Sequence, residues 1–368
     1  MIKTVLKQTK GYRLYSLLSP LLIILEVYME VQIPFAMSNM VDIGILGGAG
    51  MEYILREGAK MVIMALASLI AGAGAARVAA KAGMGFGANL RNTIFSKIQD
   101  FSFANIDRFS TPSLITRMTT DVNTIQIGYT MVIRMFIRSP IMLVMAFQKA
   151  KAINSELSIV FAVAAPIMLV LLGFLGSLAL PRFQKLMKKY DKLNESVQEN
   201  VSGMRVVKSF VREEKEIEKF TDISAQMAKN FSKAEKILAL NSPIMQFCVY
   251  GCMLAISWIG AKMVVASGNN PALGLTTGQL SSMFTYVTQI LSSLMMLSMV
   301  FVMLTMSRTP LKRCYELLTE VPDLASPAEG AVTTVTDGSI DFENVGFRYA
   351  STAQHRALKE VNLHIPSG

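Results

Sequence analysis

Three stretches of this chain carry no charged residue: Leu157–Pro181, Ile237–Ala261 and Met263–Ser307. Each is longer than the ~20 mostly apolar residues a helix needs to cross a bilayer's hydrocarbon. In lipid, every backbone N–H and C=O must be bonded within the protein, so such runs are predicted to be helices. A shorter uncharged run stands at Met61–Ala76. Two further apolar segments are interrupted: Leu14–Met40 by Glu26 and Glu30, and Met135–Ile153 by Arg138, Lys149 and Lys151. The count is six spans, near 14–42, 56–80, 133–153, 156–180, 243–267 and 277–303.

Composition removes the competing classes. The chain is 52% apolar and only 17% charged, against about a quarter charged in an average soluble domain. That excludes a disordered chain, a coiled-coil rod and a disulfide scaffold. The net charge is +10. A basic balance points to nucleic acid or to an anionic membrane surface. Here the basic residues lie between long apolar runs, so the membrane is the expected partner and nucleic acid is not. There are three cysteines. Cys248 and Cys252 share a helix face, and no histidine is near them in sequence, so neither a disulfide nor a metal site is expected.

The connections set the orientation. Lys3, Lys7, Lys10 and Arg13 precede the first span with no acid among them. Segment 77–138 holds eight basic residues against three acids, and 182–236 holds thirteen against nine. The other connections are short and nearly free of Lys and Arg. The positive-inside rule then places both termini in the cytosol. Lys149 and Lys151 fall at the outer end of the third span, where long stems reach the headgroups. Arg134 and Arg138 are expected at the inner interface rather than in a binding site.

The cytosolic connections read as helices that outrun the bilayer. Residues 61–103 contain no proline and no polar loop cluster. One helix there would reach about 60 Å, roughly twice the hydrocarbon thickness. The same holds for 157–200, with kinks possible at Pro166 and Pro181. Spans five and six should continue inward as far as Phe220 and Leu318. Two short elements join these rods. Thr111 is a good N-cap with Pro112 at the first helical position, opening a short helix Pro112–Thr120. Ser202-Gly203 breaks the long helix before Met204–Val211, whose Val206, Val207, Phe210 and Val211 would be exposed. An exposed apolar tip suggests a docking surface.

After Glu320 the pattern changes. Val321–Thr336 is rich in Pro, Ala, Thr and Gly, as a linker is. Ser339–Val345 alternates like a strand, and a second strand reads at Ala357–Ile365. About 30 residues cannot bury a core, so residues 339–368 are expected to be the first edge of a second domain.

In this order the features resemble a half-transporter of the ATP-binding cassette (ABC) exporter family, most nearly the bacterial multidrug type, many of which are heterodimeric. The residues that carry the resemblance are Val41-Asp42-Ile43-Gly44, Leu90-Arg91 with Phe101-Ser102-Phe103, and Ser113–Arg117 with Asp121-Val122. They continue with Gly203–Phe210, Arg212-Glu213, Lys312–Leu318 and Ile340–Tyr349 through Leu358. The likeness covers essentially the whole chain.

The resemblance implies an all-α membrane domain over 1–320, with coupling helices near 111–121 and 202–212. A linker over 321–338 and the start of an α/β nucleotide-binding domain over 339–368 complete the order. It implies pairing with a second half-transporter, ATP and Mg as cofactors, and export across the cytoplasmic membrane by alternating access. Ser113, Leu114, Arg117, Asp121, Arg205, Val206 and Phe210 become the coupling residues. Tyr349 matches the aromatic residue that stacks on adenine. The family's phosphate-binding loop would fall just beyond Gly368, so the sequence as given is not expected to hydrolyse ATP by itself. Pro310 departs from the pattern and is expected to kink the sixth span near 306–310.

Glu26 and Glu30 stand four apart on the first span, so they share a face. Charge at that depth faces a cavity or a partner. They either line a pathway that attracts cationic, lipophilic substrates, or pair with Arg77, Arg138 or Gln32. Met295 and Met299, within a methionine cluster on span six, suit a surface for varied amphipathic ligands; ordinary packing explains them equally. The rival to an ATP-driven pump is an ion-coupled carrier without ATPase activity, which would show inverted repeats and broken midplane helices.

Overall fold

The computed structural model describes residues 1–322, 334, 337–348 and 356–367. Six helices are long and apolar enough to cross a membrane: Arg13–Leu46, Gly50–Gln99, Thr111–Ile153, Ser155–Ala179, Glu213–Ser267 and Thr277–Thr319. All six expected spans lie within them. The fourth continues to Ser202, where Gly203 ends it. The fold is therefore all-helical through 319, with a two-stranded antiparallel sheet of β1 (Ile340–Phe347) and β2 (Leu358–Ile365) after it. Most of the expected linker 321–338 lies outside the described residues, as does Tyr349.

Several boundaries differ from the sequence reading. The short helix between the second and third spans is Phe103–Phe109, closed by a capping box of Ser102 and Asn105. Residues 111–121 are not a separate element. They open the third long helix, and the residue before it is Ser110 (φ 57°) rather than Thr111. Ser110 donates its N–H to the Ile106 carbonyl and accepts the Leu114 N–H, so one left-handed residue serves both helices. The fifth span divides into Glu213–Ala239 and Asn241–Ser267. Pro243 cannot donate to the Ala239 carbonyl, which accounts for the break. The sixth helix runs unbroken through Pro310.

The chain divides into two compact units. The first comprises Met1–Leu21, Gly74–Arg134 and Val300–Gly368. Its core packs Phe86, Leu90 and Ile94 of the second helix with Leu114, Val122 and Leu317. Small residues bring helices close. Ala75, Ala79 and Ala82 are fully buried. A Cβ on Gly83 would run into Thr130, on Gly85 into the Tyr12 ring, and on Gly87 into Gln126. The second helix is thus approached on two sides where it has no side chains, the contact that small residues permit in membrane bundles.

The second unit comprises Leu22–Ala73 and Met135–Met299. Ile23, Val27 and Val31 repeat every fourth residue of the first span and are fully buried. The sixth span is tied to the first at successive levels. Tyr286 Oη donates to the Val31 carbonyl (3.0 Å), and Ser282 Oγ to the Pro34 carbonyl (2.5 Å). At the end of the first span, Asp42 accepts the Thr276 hydroxyl (2.5 Å) and the Gly278 N–H (2.8 Å). A carboxylate from one helix thereby caps the N-terminus of another.

Candidate functional site

In the second unit, the two glutamates of the first span meet the arginine of the third. Arg138 Nη1 donates to Glu26 Oε1 at 2.8 Å, and Nη2 to Glu30 Oε2 at 2.6 Å. One guanidinium bridges carboxylates on consecutive helix turns, the forked geometry for which arginine is suited. The side chains of Glu26, Arg138 and Glu30 keep 16%, 25% and 34% of their surface exposed. Glu26 is hemmed in: a methyl on Gly72 would stand 3.0 Å from its carboxyl carbon.

A cavity of about 210 Å³ opens beside Glu30 and Arg138. Ser139 and Met142 line it from the third span, and Thr288, Gln289, Ser292, Ser293 and Met296 from the sixth. The four from 289 to 296 recur at i, i+3, i+4 and i+7, one face of a helix. Met295 and Met299 are exposed and outside the lining. The methionines that do line the cavity are Met142 and Met296.

In the first unit, the opening turns of the third helix are tied to the end of the sixth. Arg313 pairs with Asp121, which is 1% exposed. Arg117 Nη1 donates to the Arg313 carbonyl (2.5 Å), and its guanidinium lies 4.8 Å from the Phe109 ring centroid. Arg108 pairs with Glu320 at 2.6 Å, and Asn105 donates to the same carboxylate. Leu114, Arg117 and Asp121 are therefore buried in this unit's own packing, and Ser113 is half-buried. The exposed residues of 111–121 include Pro112, Ile115, Thr116 and Thr119.

The element after Gly203 is a six-residue helix, Met204–Ser209. Arg205, Val206 and Phe210 are all exposed there, with Val211 next in the chain at φ 48°. Of the four apolar residues expected to be exposed here, Val206, Phe210 and Val211 are, and Val207 is half-buried.

Known proteins resemble this chain along most of its length. An uncharacterized ABC transporter ATP-binding protein of Bacillus subtilis, YfiB, is 25% identical over 354 residues, covering 96% of this chain and 60% of that protein. One of Mycobacterium tuberculosis is 28% identical over 329 residues, covering 89% of this chain and 54% of its own length. A second from Bacillus subtilis, YknU, is 28% identical over 289 residues, with 76% and 46% covered. The family model for the ABC transporter transmembrane region matches residues 16–295.

The chain belongs to that family.

It is a multi-pass ABC membrane domain, and it spans about half the length of the curated relatives it matches. Within this domain, sequence reasoning found Glu26 and Glu30 and offered Arg138 both as a pairing partner and as an inner-interface residue. The structure pairs Arg138 with both glutamates. Just before it, residues Val132–Phe136 form a π-helical turn. Such a turn holds one extra residue and rotates the side chains after it by about 100° relative to a regular helix. Gln289 and Met142 were missed, while Met296 belonged to the methionine cluster expected on span six. For Gln289 the signal was present in the uncharged i, i+3, i+4, i+7 pattern on span six, which hydropathy alone passes over; Met142, on the third span, had none.

Proposed function

We infer that this ABC membrane domain is one half of an ATP-driven exporter of the cytoplasmic membrane, with both termini cytosolic. One observation carries the reading. The second long helix has 50 residues, about 75 Å at 1.5 Å per residue, more than twice the ~30 Å hydrocarbon. A solute pathway alone does not need such a rod; a device that moves work away from an engine outside the bilayer does. Residues 1–320 are the membrane domain, 321–338 the linker, and 339–368 the beginning of the nucleotide-binding domain.

A second half-transporter completes the pathway. ATP, held with Mg by the nucleotide-binding domains, supplies the driving force, and Tyr349 contributes its ring to adenine. The residues of this chain transmit and receive. The regions 111–121 and 202–212 dock on the nucleotide-binding domains, with Ile115, Val206 and Phe210 as the exposed apolar contacts. Asp121, Arg117 and Arg313 make the start of the third helix move with the end of the sixth. The cavity beside Glu30 receives a small amphipathic substrate.

The test is uptake of an amphipathic cation into inside-out vesicles bearing the assembled transporter. Uptake that needs ATP and stops in a phosphate-loop lysine variant of the assembled transporter supports export. Uptake driven by an ion gradient without ATP would replace it with the ion-coupled carrier.

A further inference from the structure

The ion pair beside the cavity is unequal, and the inequality identifies what the cavity takes. Two carboxyl groups share a single guanidinium, so with both ionised the trio carries one negative charge in excess. Glu26 is the more enclosed partner, packed against Gly72. Glu30 is twice as exposed, and among the described residues it is the one carboxylate of the pair that lines the cavity. Arg138 lines it too. A competing cation entering from the cavity therefore meets Glu30 first, while Glu26 retains Arg138.

The rest of the lining keeps free donors only at the Ser292 hydroxyl and the Gln289 amide nitrogen, and offers more acceptors than that. Three of its hydroxyls spend their proton on their own helix: Ser139 Oγ donates to the Met135 carbonyl, Thr288 Oγ1 to Thr285, and Ser293 Oγ to Ile290. Their lone pairs remain for the cavity. The Gln289 Oε1 has no hydrogen-bond partner among the described residues, so no donor fixes that amide. Pro34 takes the i+4 donor away from the Glu30 carbonyl. Acceptors therefore outnumber donors around a site that already has a surplus negative charge. Met142 and Met296 supply adaptable apolar wall. At about 210 Å³, the space exceeds the ~150 Å³ cavity that holds a benzene.

We propose that Glu30 is the cation-binding carboxylate of this cavity, that Arg138 is a tethered placeholder which the ligand displaces from it, and that the ligand is a protonated amine with N–H donors on a small apolar body. This deepens the export reading by naming the head group that the pathway recognises. A quaternary ammonium brings charge without donors and leaves the acceptors unpaired. A carboxylate meets the surplus charge with its own.

The experiment is calorimetric titration of the purified protein in lipid nanodiscs, without nucleotide and with empty nanodiscs subtracted. The probes are 2-phenylethylamine, its N,N,N-trimethyl analogue and 3-phenylpropanoate. The amine is expected to bind at least tenfold more tightly than the trimethyl analogue, with no binding of the acid. Glu30→Gln should weaken the amine at least tenfold. The double variant Arg138→Met/Glu26→Gln, which keeps Glu30 as the only charge of the three, should tighten it about tenfold. Equal binding of the trimethyl analogue overturns the donor requirement, and unchanged binding in Glu30→Gln overturns the site. Weaker binding in the double variant overturns the placeholder role, and preferred binding of the acid makes Arg138 an anion site. If Glu30→Gln does not fold by circular dichroism, the three probes and the double variant decide. Amine binding with no ATP-dependent uptake of any solute would retire the export reading alone. Uptake of other solutes with no amine binding would retire this inference alone.

Discussion

Asp42 shows how much one side chain organises in this domain. It accepts from Ser38 at 3.1 Å on its own helix and from Thr276 and Gly278 at the start of the sixth. Hydrogen bonds to a charged group are worth about 1.5–3 kcal/mol each, and here two of them join the first and last spans. Asp42→Ala is expected to destabilise the protein by about 2 kcal/mol or more, read as a lower thermal unfolding midpoint in detergent, while Asp42→Asn, which keeps one acceptor oxygen, loses less. Equal midpoints for the two would mean that the charge and not the cap is what matters. Asp121 makes the complementary case: it is buried against Arg313, which is itself half in water. Removing one partner of a buried pair strands the other charge at a cost of about 3–5 kcal/mol. Arg313→Ala should fall at the low end of that range, with Arg313→Lys recovering part of it. Gly85 is tested by size alone. A Cβ there meets the Tyr12 ring, so Gly85→Val should displace the N-terminal segment and expose it to limited proteolysis, whereas Gly173→Ala, with open space around it, should leave the digest unchanged.

At the scale of the helix, length was legible in the sequence and rotation was not. All six long helices were found because long apolar runs with few or no charges are visible one residue at a time. Which way a side chain faces depends on the turns between. The third helix contains two π-helical turns, Arg117–Asp121 and Val132–Phe136, and the first ends in another, Met40–Leu46. Each shifts the faces beyond it by about 100°, so a strict 3.6-residue count does not carry a face from one end of the third helix to the other. The same arithmetic explains why Glu26 and Glu30 were placed correctly together: no such turn lies between them. Short polar elements were mis-bounded for another reason, because the capping box sits at Ser102 and Asn105, where asparagine stands in for the usual acid or amide. The rods themselves give a direct measurement. In a background lacking Cys248, Cys252 and Cys314, Leu69→Cys and Phe95→Cys each place a thiol at an exposed position of the second helix. They are 26 residues apart, about 39 Å along the axis. A membrane-impermeant maleimide applied to inside-out vesicles should label Phe95→Cys rapidly and Leu69→Cys slowly; equal labelling of both would end the claim that this helix leaves the bilayer.

For the whole molecule, the contrast between its two kinds of structure is what the remaining residues have to explain. The helices close on buried cores of their own. The strand pair does not: Ile340, Leu358, Leu363 and Ile365 are all exposed, and the register slips between Phe342 and Val345 and again before Phe347. Two strands alone are marginal in water, and stability comes only with further strands or a covering helix. Apolar residues exposed on both strands are what the edge of a larger sheet presents before its neighbours are added. The linker-and-strand pattern was visible in the sequence because turn residues and alternation are local. Tyr349 was not testable in the same way, since it lies outside the described residues. Hydrogen exchange separates the two kinds of structure in one experiment. In a polypeptide ending at Gly368, amides of 340–347 and 358–365 are expected to exchange within seconds, while those of 86–94, in the core of the first unit, stay protected for hours. In a polypeptide that carries a complete nucleotide-binding domain after residue 368, the strand amides should become protected and the helix amides should not change. Strands that are already protected in the shorter polypeptide would show that residues 339–368 hold a fold by themselves, and would remove the reason for reading them as the edge of a nucleotide-binding domain.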